Sequence, residues 1–374
     1  MDGTARHRPV HFVSDESRIG IVDSLHSHAR LGLDLEADSF HRYFEKVCLI
    51  QLSSPDEDVL HDPLALGLPE TLRRLLSDRN RTLVLHGADF DVLSLKRDFD
   101  VELGGLFDTM IAARLLGRAQ LGLKALLESE LGVHIDKGEQ RSDWAERPLS
   151  ATQIEYARRD TMYLLELADR LEAALREAGR LEWHAEDCET QRRRPFVQKP
   201  FDPAGFWKLA SGRLEEKEAR ALRAAWRWRD SEARARDLPP FRVMNNEALS
   251  RIARVFAAEG AAGVRRLAGT KGLPRSRPKL ELVAELISRD LDDPTPIPPR
   301  GRGARPERLS ERAEKSRAEL RAIRDAKAKL LGLEPSILLS SADLDELARN
   351  PPTDRESLAQ RVGTWRAREL WASN

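Results

Sequence analysis

Leu31-Gly-Leu-Asp-Leu-Glu36 decides how the first half of this chain is read. Leucines at 31, 33 and 35 alternate with Gly32, Asp34 and Glu36, and a side-chain period of two is that of a β-strand. One face of such a strand is apolar and belongs in a core. The other carries two carboxylates side by side. A plain amphipathic strand with a solvated polar face accounts for this segment taken alone, so its meaning depends on its surroundings.

Further strands flank it. Val47-Cys-Leu-Ile-Gln-Leu52 is β-rich and followed by Ser-Ser-Pro, and Thr82-Leu-Val-Leu-His86 is a short apolar run ending at Gly87; both read as strands closed by turns. Residues 111–116, 123–131 and 152–175 carry apolar side chains at spacings of three and four and read as helices. Strands alternating with helices predict a layered α/β domain.

Two more segments carry candidate chemistry. Asp91, in Leu85-His-Gly-Ala-Asp-Phe-Asp-Val92, stands at the entrance of a helix, where an aspartate also serves as a cap. Tyr156-Ala-Arg-Arg-Asp160 sets a phenol and a carboxylate one turn apart on one helix face. There the phenol can touch a water held by a metal on the carboxylate; a surface contact is the plainer reading of such a pair.

A length of 374 residues predicts two or three folded units. The 62 Lys+Arg and 62 Asp+Glu cancel, yet residues 1–190 hold 23 basic and 36 acidic side chains and residues 191–374 hold 39 and 26. A half at −13 is thus joined to a half at +13, which predicts that one part meets a polyanion or a cation while the other does something different. Cys48 and Cys188 form no CxxC pair, which excludes a disulfide scaffold and a Cys-based zinc module. The start, MDGTARHRPVHF, lacks the apolar core of a signal peptide. With no apolar run near the roughly 20 residues of a membrane span, a soluble cytoplasmic protein is expected.

Past residue 190 the strand signals fade. Gln191-Arg-Arg-Arg-Pro-Phe-Val-Gln-Lys-Pro200 and Asp293-Pro-Thr-Pro-Ile-Pro-Pro-Arg-Gly-Arg-Gly-Ala-Arg-Pro306 read as linkers. Two helical blocks lie between and after them. A shift of 95 residues superposes Arg229 on Arg324, Ala233 on Ala328, Leu238 on Leu333, Pro240 on Pro335, Leu249 on Leu344, Ile252 on Leu347, Ala253 on Ala348 and Arg254 on Arg349. This weak repeat argues for a shared small helical fold.

Asp-x-Glu, then His-Gly-Ala-Asp-Phe-Asp, then Ser142-Asp-Trp-Ala-Glu-Arg-Pro-Leu-Ser150 leading into Tyr-x-x-x-Asp resemble the three exonuclease motifs of the ribonuclease D family, the DEDDy branch of 3'-to-5' exonucleases. The resemblance covers roughly residues 10–175 and includes connecting text such as Phe107-Asp-Thr-Met-Ile-Ala-Ala-Arg114. The helical blocks resemble HRDC domains, small nucleic-acid-binding modules. The resemblance implies an α/β ribonuclease H-like exonuclease domain, a mixed sheet flanked by helices, followed by two small all-α domains. The expected divisions are 1–190 for the exonuclease, 191–213 for a basic linker, 214–290 for the first HRDC-like domain, 291–303 for a Pro/Gly/Arg-rich linker and 304–374 for the second.

Position by position, the resemblance implies Asp34, Glu36, Asp91 and Asp160 as metal ligands and Tyr156 as the catalytic tyrosine, with Asp89 the less favoured alternate to Asp91. Asp108 is left out as a helix cap. Leu35 stands where many members have threonine, on the buried face. Oxygen-only ligands suit two divalent cations, Mg2+ or Mn2+. In the implied arrangement Asp34 bridges both ions, Glu36 and Asp160 complete the site of the attacking water, and Asp91 supports the second ion. Tyr156, a phenol with an ordinary pKa near 10, orients that water. The expected activity is release of 5'-mononucleotides from RNA 3' ends, tRNA precursors or other small structured RNAs foremost, with no obligate protein partner and no membrane. A 3'-to-5' DNA exonuclease acting in repair is the close alternative, and a non-catalytic nucleic-acid-binding scaffold the more distant one.

The basic half then supplies phosphate contacts. Candidates are Arg192, Arg193 and Arg194; Arg265, Arg266, Lys271, Arg275, Arg277 and Lys279; and Arg300, Arg302 and Arg305. Solvated surface is the competing reading for each. Trp207, Trp226 and Trp228 are either base-stacking platforms or core.

Overall fold

A computed structural model describes residues 8–135, 138–198, 200–210, 212–270, 272–273, 276–293, 295–300 and 309–371. Lys271, Arg275, Arg302 and Arg305 lie outside the described residues. Six strands, β1 (Val10–Val13), β2 (Arg30–Ala37), β3 (Val47–Ser53), β4 (Asp58–His61), β5 (Thr82–Leu85) and β6 (Leu106–Asp108), form one sheet in the order β1-β4-β3-β2-β5-β6. β2 is central, antiparallel to β3 and parallel to β5, so the sheet is mixed, as expected.

The alternation in β2 sorts its side chains. Leu31 and Leu33 are fully buried and Leu35 nearly so. They share a core cluster with Leu72, Leu75 and Leu76 of the helix Glu70–Ser77 and with Val92 and Leu95 of the helix Asp89–Phe99. Each leucine removed from water contributes about 1.5–3 kcal/mol, which fixes which face of β2 turns inward. The carboxylate face meets the helix Ala151–Thr161, which opens with a reciprocal Ser150/Gln153 capping box.

Two helical readings need correction. Residues 152–175 form two helices, Ala151–Thr161 and Leu164–Glu177. The first ends where the Arg8 guanidinium takes the Met162 carbonyl (2.7 Å). Residues 123–131 form a short helix, Leu123–Leu126, that widens into a π-type turn, Leu127–Leu131.

The chain divides into two units. One takes in the described residues of Met1–Ala37, Lys46–Val197 and Arg308–Asn374; the other takes in Asp38–Glu45 and the described residues of Gln198–Glu307. In the second unit the helices Glu216–Ala235, Pro240–Val243, Asn246–Arg266 and Arg277–Asp292 enclose Phe206, Leu222, Trp228, Leu249, Ile252, Leu280 and Ile287. Trp228 is in this core and Trp207 and Trp226 pack against it, so these rings are structural.

The repeat is visible in the helix starts. Glu216, Pro240 and Asn246 open three helices of the first block, and Glu311, Pro335 and Ser341 open their counterparts in the second, each 95 residues on. The blocks then diverge. Asn246–Arg266 bends at Gly260 (φ 66°) and continues, whereas Ser341–Arg349 stops before Pro351-Pro352, which cannot extend a helix. The second block shares its core with the exonuclease helices: Ala328, Leu333, Ile337, Leu338, Trp365 and Leu370 join Leu164, Leu167, Leu171 and Trp183 in one cluster. Trp183 and Trp365 stack with ring centroids 4.4 Å apart, and Asp187 holds Arg366 through two bonds of 2.6 and 2.9 Å. Among the described residues no helix is long and apolar enough to cross a membrane.

Candidate active site

Three chain segments converge on the polar face of β2. Asp34 and Glu36, two residues apart, project together from it. Asp160, from the last turn of Ala151–Thr161, reaches the same place: one oxygen from each of Asp34, Glu36 and Asp160 lies within 4.8 Å of the others. Asp91 is outside this group of three, but it is near enough that its charge raises the pKa of both Asp34 and Glu36. Tyr156, one turn before Asp160, sets its hydroxyl close enough to the Asp160 carboxylate for each to shift the other's pKa. The alternate Asp89 is exposed and ion-paired to Arg194, whereas Asp91 is buried.

The approach of that helix to β2 depends on Gly32. It lies on the same face as Asp34 and Glu36, and a Cβ there would stand 2.9 Å from the Thr161 carbonyl oxygen. Glycine in a strand interior signals such a close approach of backbone. The helix is also held from its other side. Arg158 Nε binds buried Asp58 on β4 (2.8 Å), and Ser53 on β3 bonds both Asp58 (2.7 Å) and Thr161 (2.6 Å). Trp144, nearly fully buried, packs with its ring centroid 6.0 Å from that of Tyr156. Its segment is pinned by Arg147, which bonds Asp62 and the carbonyls of Cys48 and Trp144.

Asp91 is placed by a different device. β5 ends at Leu85, and Gly87 (φ 71°) turns the chain into Asp89–Phe99. Asp108 captures that turn. Its carboxylate accepts from the backbone N–H groups of Gly87 (3.0 Å) and Ala88 (2.8 Å), and also from Met110 (2.8 Å) as cap of the helix Thr109–Leu115. The cap is therefore also the brace of the Asp91 loop, a second job not visible in the Asp-Thr dipeptide.

The electrostatics are those of crowded anions. Burial first, then mutual repulsion, raises Asp34 and Glu36 well above the ordinary carboxylate range. Burial likewise raises Asp91 to about 7 and Asp160 to about 6; the backbone N–H of Asp91 itself and then that of Leu35 lower Asp91 part of the way, and the Tyr156 hydroxyl does so for Asp160. Burial and the surrounding carboxylates push the Tyr156 phenol far above its usual value. Among the described residues none of the four carboxylates pairs with a Lys, Arg or His. Hard oxygen donors without a counter-cation fit a divalent metal.

Not every candidate phosphate contact is free. Arg192 is nearly fully buried, its guanidinium bonded to Glu189, Glu102 and the Leu103 carbonyl, so it does not face RNA. Arg193 pairs with Glu189, Arg194 with Asp89, Arg266 with Glu259 and Lys279 with Glu232. Arg300 donates to the carbonyls of Ala210 and Gly212. Arg265 and Arg277 are exposed and have no partner among the described residues.

Comparison with known proteins agrees with this geometry. Residues 12–176 match the 3'-5' exonuclease family and residues 218–261 the HRDC domain. The chain is 32% identical over 354 residues to ribonuclease D of Xanthomonas oryzae pv. oryzae, covering 92% of each chain. It is 33% identical to ribonuclease D of Gluconacetobacter diazotrophicus, covering 92% of this chain and 88% of that one. The catalytic core of RRP6 from Trypanosoma brucei superposes with a TM-score of 0.68 at 25% identity, over 77% of this chain and 81% of that one. The fold is also that of Escherichia coli RNase D, with a TM-score of 0.63 at 22% identity over 91% and 90% of the two chains. The chain belongs to the ribonuclease D family and is a 3'-to-5' exoribonuclease, a phosphodiester hydrolase.

Proposed function

We propose that Asp34, Glu36, Asp91 and Asp160 hold two divalent cations, Mg2+ or Mn2+, and that the site trims the 3' ends of tRNA precursors or other small structured RNAs. The observation that carries this reading is the gathering of unpaired carboxylates from three distant segments, half-buried Asp34, Glu36 and Asp160 with buried Asp91 beside them. When bound, two such ions lower the pKa of the attacking water and screen charge on the departing oxygen. Asp34 and Glu36 from β2, Asp160 from the helix Ala151–Thr161 and Asp91 from the helix after β5 would supply the oxygens that hold them. Water adds to the terminal phosphorus, the bond to the 3' oxygen breaks, and a 5'-mononucleotide leaves the shortened RNA with a free 3' hydroxyl. Tyr156 keeps its proton at working pH, because burial and its acidic neighbours raise its pKa. It therefore acts not as a base but as a hydrogen-bonding group, its single O–H donating to Asp160 or to the water and its oxygen free to accept from the water.

The division into 1–190, 191–213, 214–290, 291–303 and 304–374, with the second block as another HRDC-like module, belongs to the same proposal, as does a cytoplasmic location. The helical modules would hold the RNA through phosphate contacts, with Arg265 and Arg277 the best-placed cations. The test is one assay of purified protein on tRNA with extended 3' ends, on single-stranded RNA and on matched DNA, with Mg2+, Mn2+ or chelator. Metal-dependent shortening from the 3' end is expected, lost in Asp34→Asn with Asp160→Asn. Undiminished trimming by that double variant would refute the site.

A further inference from the structure

β3 sets one more polar side chain beside Asp34. Gln51 is its direct partner across the antiparallel β2–β3 pair, so both side chains leave the same face of the sheet, with Cβ atoms about 4.5–5.5 Å apart. The neighbouring positions on this face are accounted for. Ser53, opposite Gly32, bonds Asp58 and Thr161, and Leu49, opposite Glu36, packs in an apolar cluster with Trp144 and Ala157. Gln51 is different: it is fully buried, yet neither its Oε1 nor its Nε2 has a hydrogen-bond partner among the described residues.

A buried amide with both groups unpaired weakens a fold, and an apolar side chain of the same length would fill the space without that penalty. Such a residue next to a ligand carboxylate is explained by what the carboxylate needs. Carboxylates that bind metals are themselves oriented by hydrogen-bond donors behind them. The backbone N–H of Leu35 acts on Asp34, and a carboxylate with two oxygens can accept further hydrogen bonds beyond it. We infer that Gln51 is a positioning residue for Asp34: its amide N–H group turns onto the charged Asp34 carboxylate and fixes the orientation in which that carboxylate receives a cation. The inference rests on Asp34 being a metal ligand, as proposed above.

Gln51→Met keeps the length of the side chain and removes its hydrogen bonding. Wild type, Gln51→Met and Asp34→Asn are compared by thermal unfolding in chelator and across a Mg2+ titration, and by steady-state trimming of an RNA oligonucleotide. For Gln51→Met the metal-free Tm is expected to stay level or rise by about 2–4 °C, since an unpaired buried amide is gone. The Mg2+ concentration giving half the Tm gain should rise, or kcat fall, by about 10–100-fold, with KM for the RNA within about twofold. A residue that only fills space would lose metal-free Tm together with activity, and that result would overturn the inference. So would a wild-type kcat and Mg2+ titration. If Gln51→Met behaves as wild type while Asp34→Asn is inactive, the positioning role falls and the site reading stands; if Asp34→Asn remains active, both fall.

Discussion

Asp91 ties the stability of the protein to pH in a direction opposite to that of most carboxylates. Its pKa is about 7 in the folded protein against an ordinary 3.8, so the folded state binds the proton more tightly than the unfolded state does. The stabilisation from that proton is complete below about pH 4 and disappears as pH rises through about 7. At about 1.4 kcal/mol per unit, roughly 2.5 kcal/mol is withdrawn between pH 5 and pH 8. For a folded unit of this size that is roughly 5–10 °C in Tm. The experiment is thermal unfolding in chelator across pH 5–8 for wild type and Asp91→Asn, in which the neutral amide cannot titrate. Wild type should be the more strongly destabilised by rising pH, and the gap is widened because Asp91 also raises Asp34 and Glu36. Saturating Mg2+ should restore the wild type, with a larger gain at pH 8 than at pH 5, since metal and proton compete for the same oxygens. A Tm difference between the two proteins that stays constant within about 1 °C over this range would refute the reasoning, as would a Mg2+ gain that is larger at pH 5.

Tyr156→Phe removes the hydroxyl beside Asp160 and should lower kcat by roughly 10–100-fold while KM for RNA stays near wild type, read by steady-state kinetics. Gly32→Ala places a methyl 2.9 Å from the Thr161 carbonyl; overpacking of this kind costs about 1–3 kcal/mol, and moving the helix that carries Tyr156 and Asp160 should cut kcat more than RNA affinity. Arg158→Met strips one partner from fully buried Asp58, which keeps Arg8 and Ser53, and should cost about 1.5–3 kcal/mol, measured by denaturant unfolding. Arg265→Ala with Arg277→Ala should weaken RNA binding and flatten the slope of log K against log salt by about 1 for each lost contact, with stability unchanged.

Much of the site was legible because its carboxylates sit on regular elements. A period of two told which face of 31–36 bears Asp34 and Glu36, and an i, i+4 spacing told that Tyr156 and Asp160 share a helix face. Those rules need no tertiary information. Pattern could not say what lies opposite. Gly32 reads as a weak strand residue until Thr161 is seen above it, and Gln51 reads as one polar residue in an apolar run until its pairing with Asp34 is known. The break at Met162 was missed for the same reason. The apolar spacing continues through 152–175 without interruption, while the Met162 carbonyl at the break accepts from the Arg8 guanidinium more than 150 residues away.

The charge split is where composition misled most. Three consecutive arginines at 192–194 read as a phosphate-binding linker, but the helix Leu181–Arg192 runs into them and brings them within reach of Glu189, Glu102 and Asp89. Arg192 is nearly fully buried. A guanidinium already desolvated and paired with two carboxylates has little attraction left for a phosphate, because engaging RNA would mean breaking those pairs and leaving buried charge behind. The positive excess of residues 191–374 is therefore not a measure of RNA affinity. In the proposed function the cations that bear on binding are those both exposed and without a partner among the described residues, and Arg265 and Arg277, on helices of the second unit, meet that condition. On that proposal phosphate attraction falls to side chains distant in sequence from the acidic centre, while the arginines next to the exonuclease helices are engaged in holding those helices together.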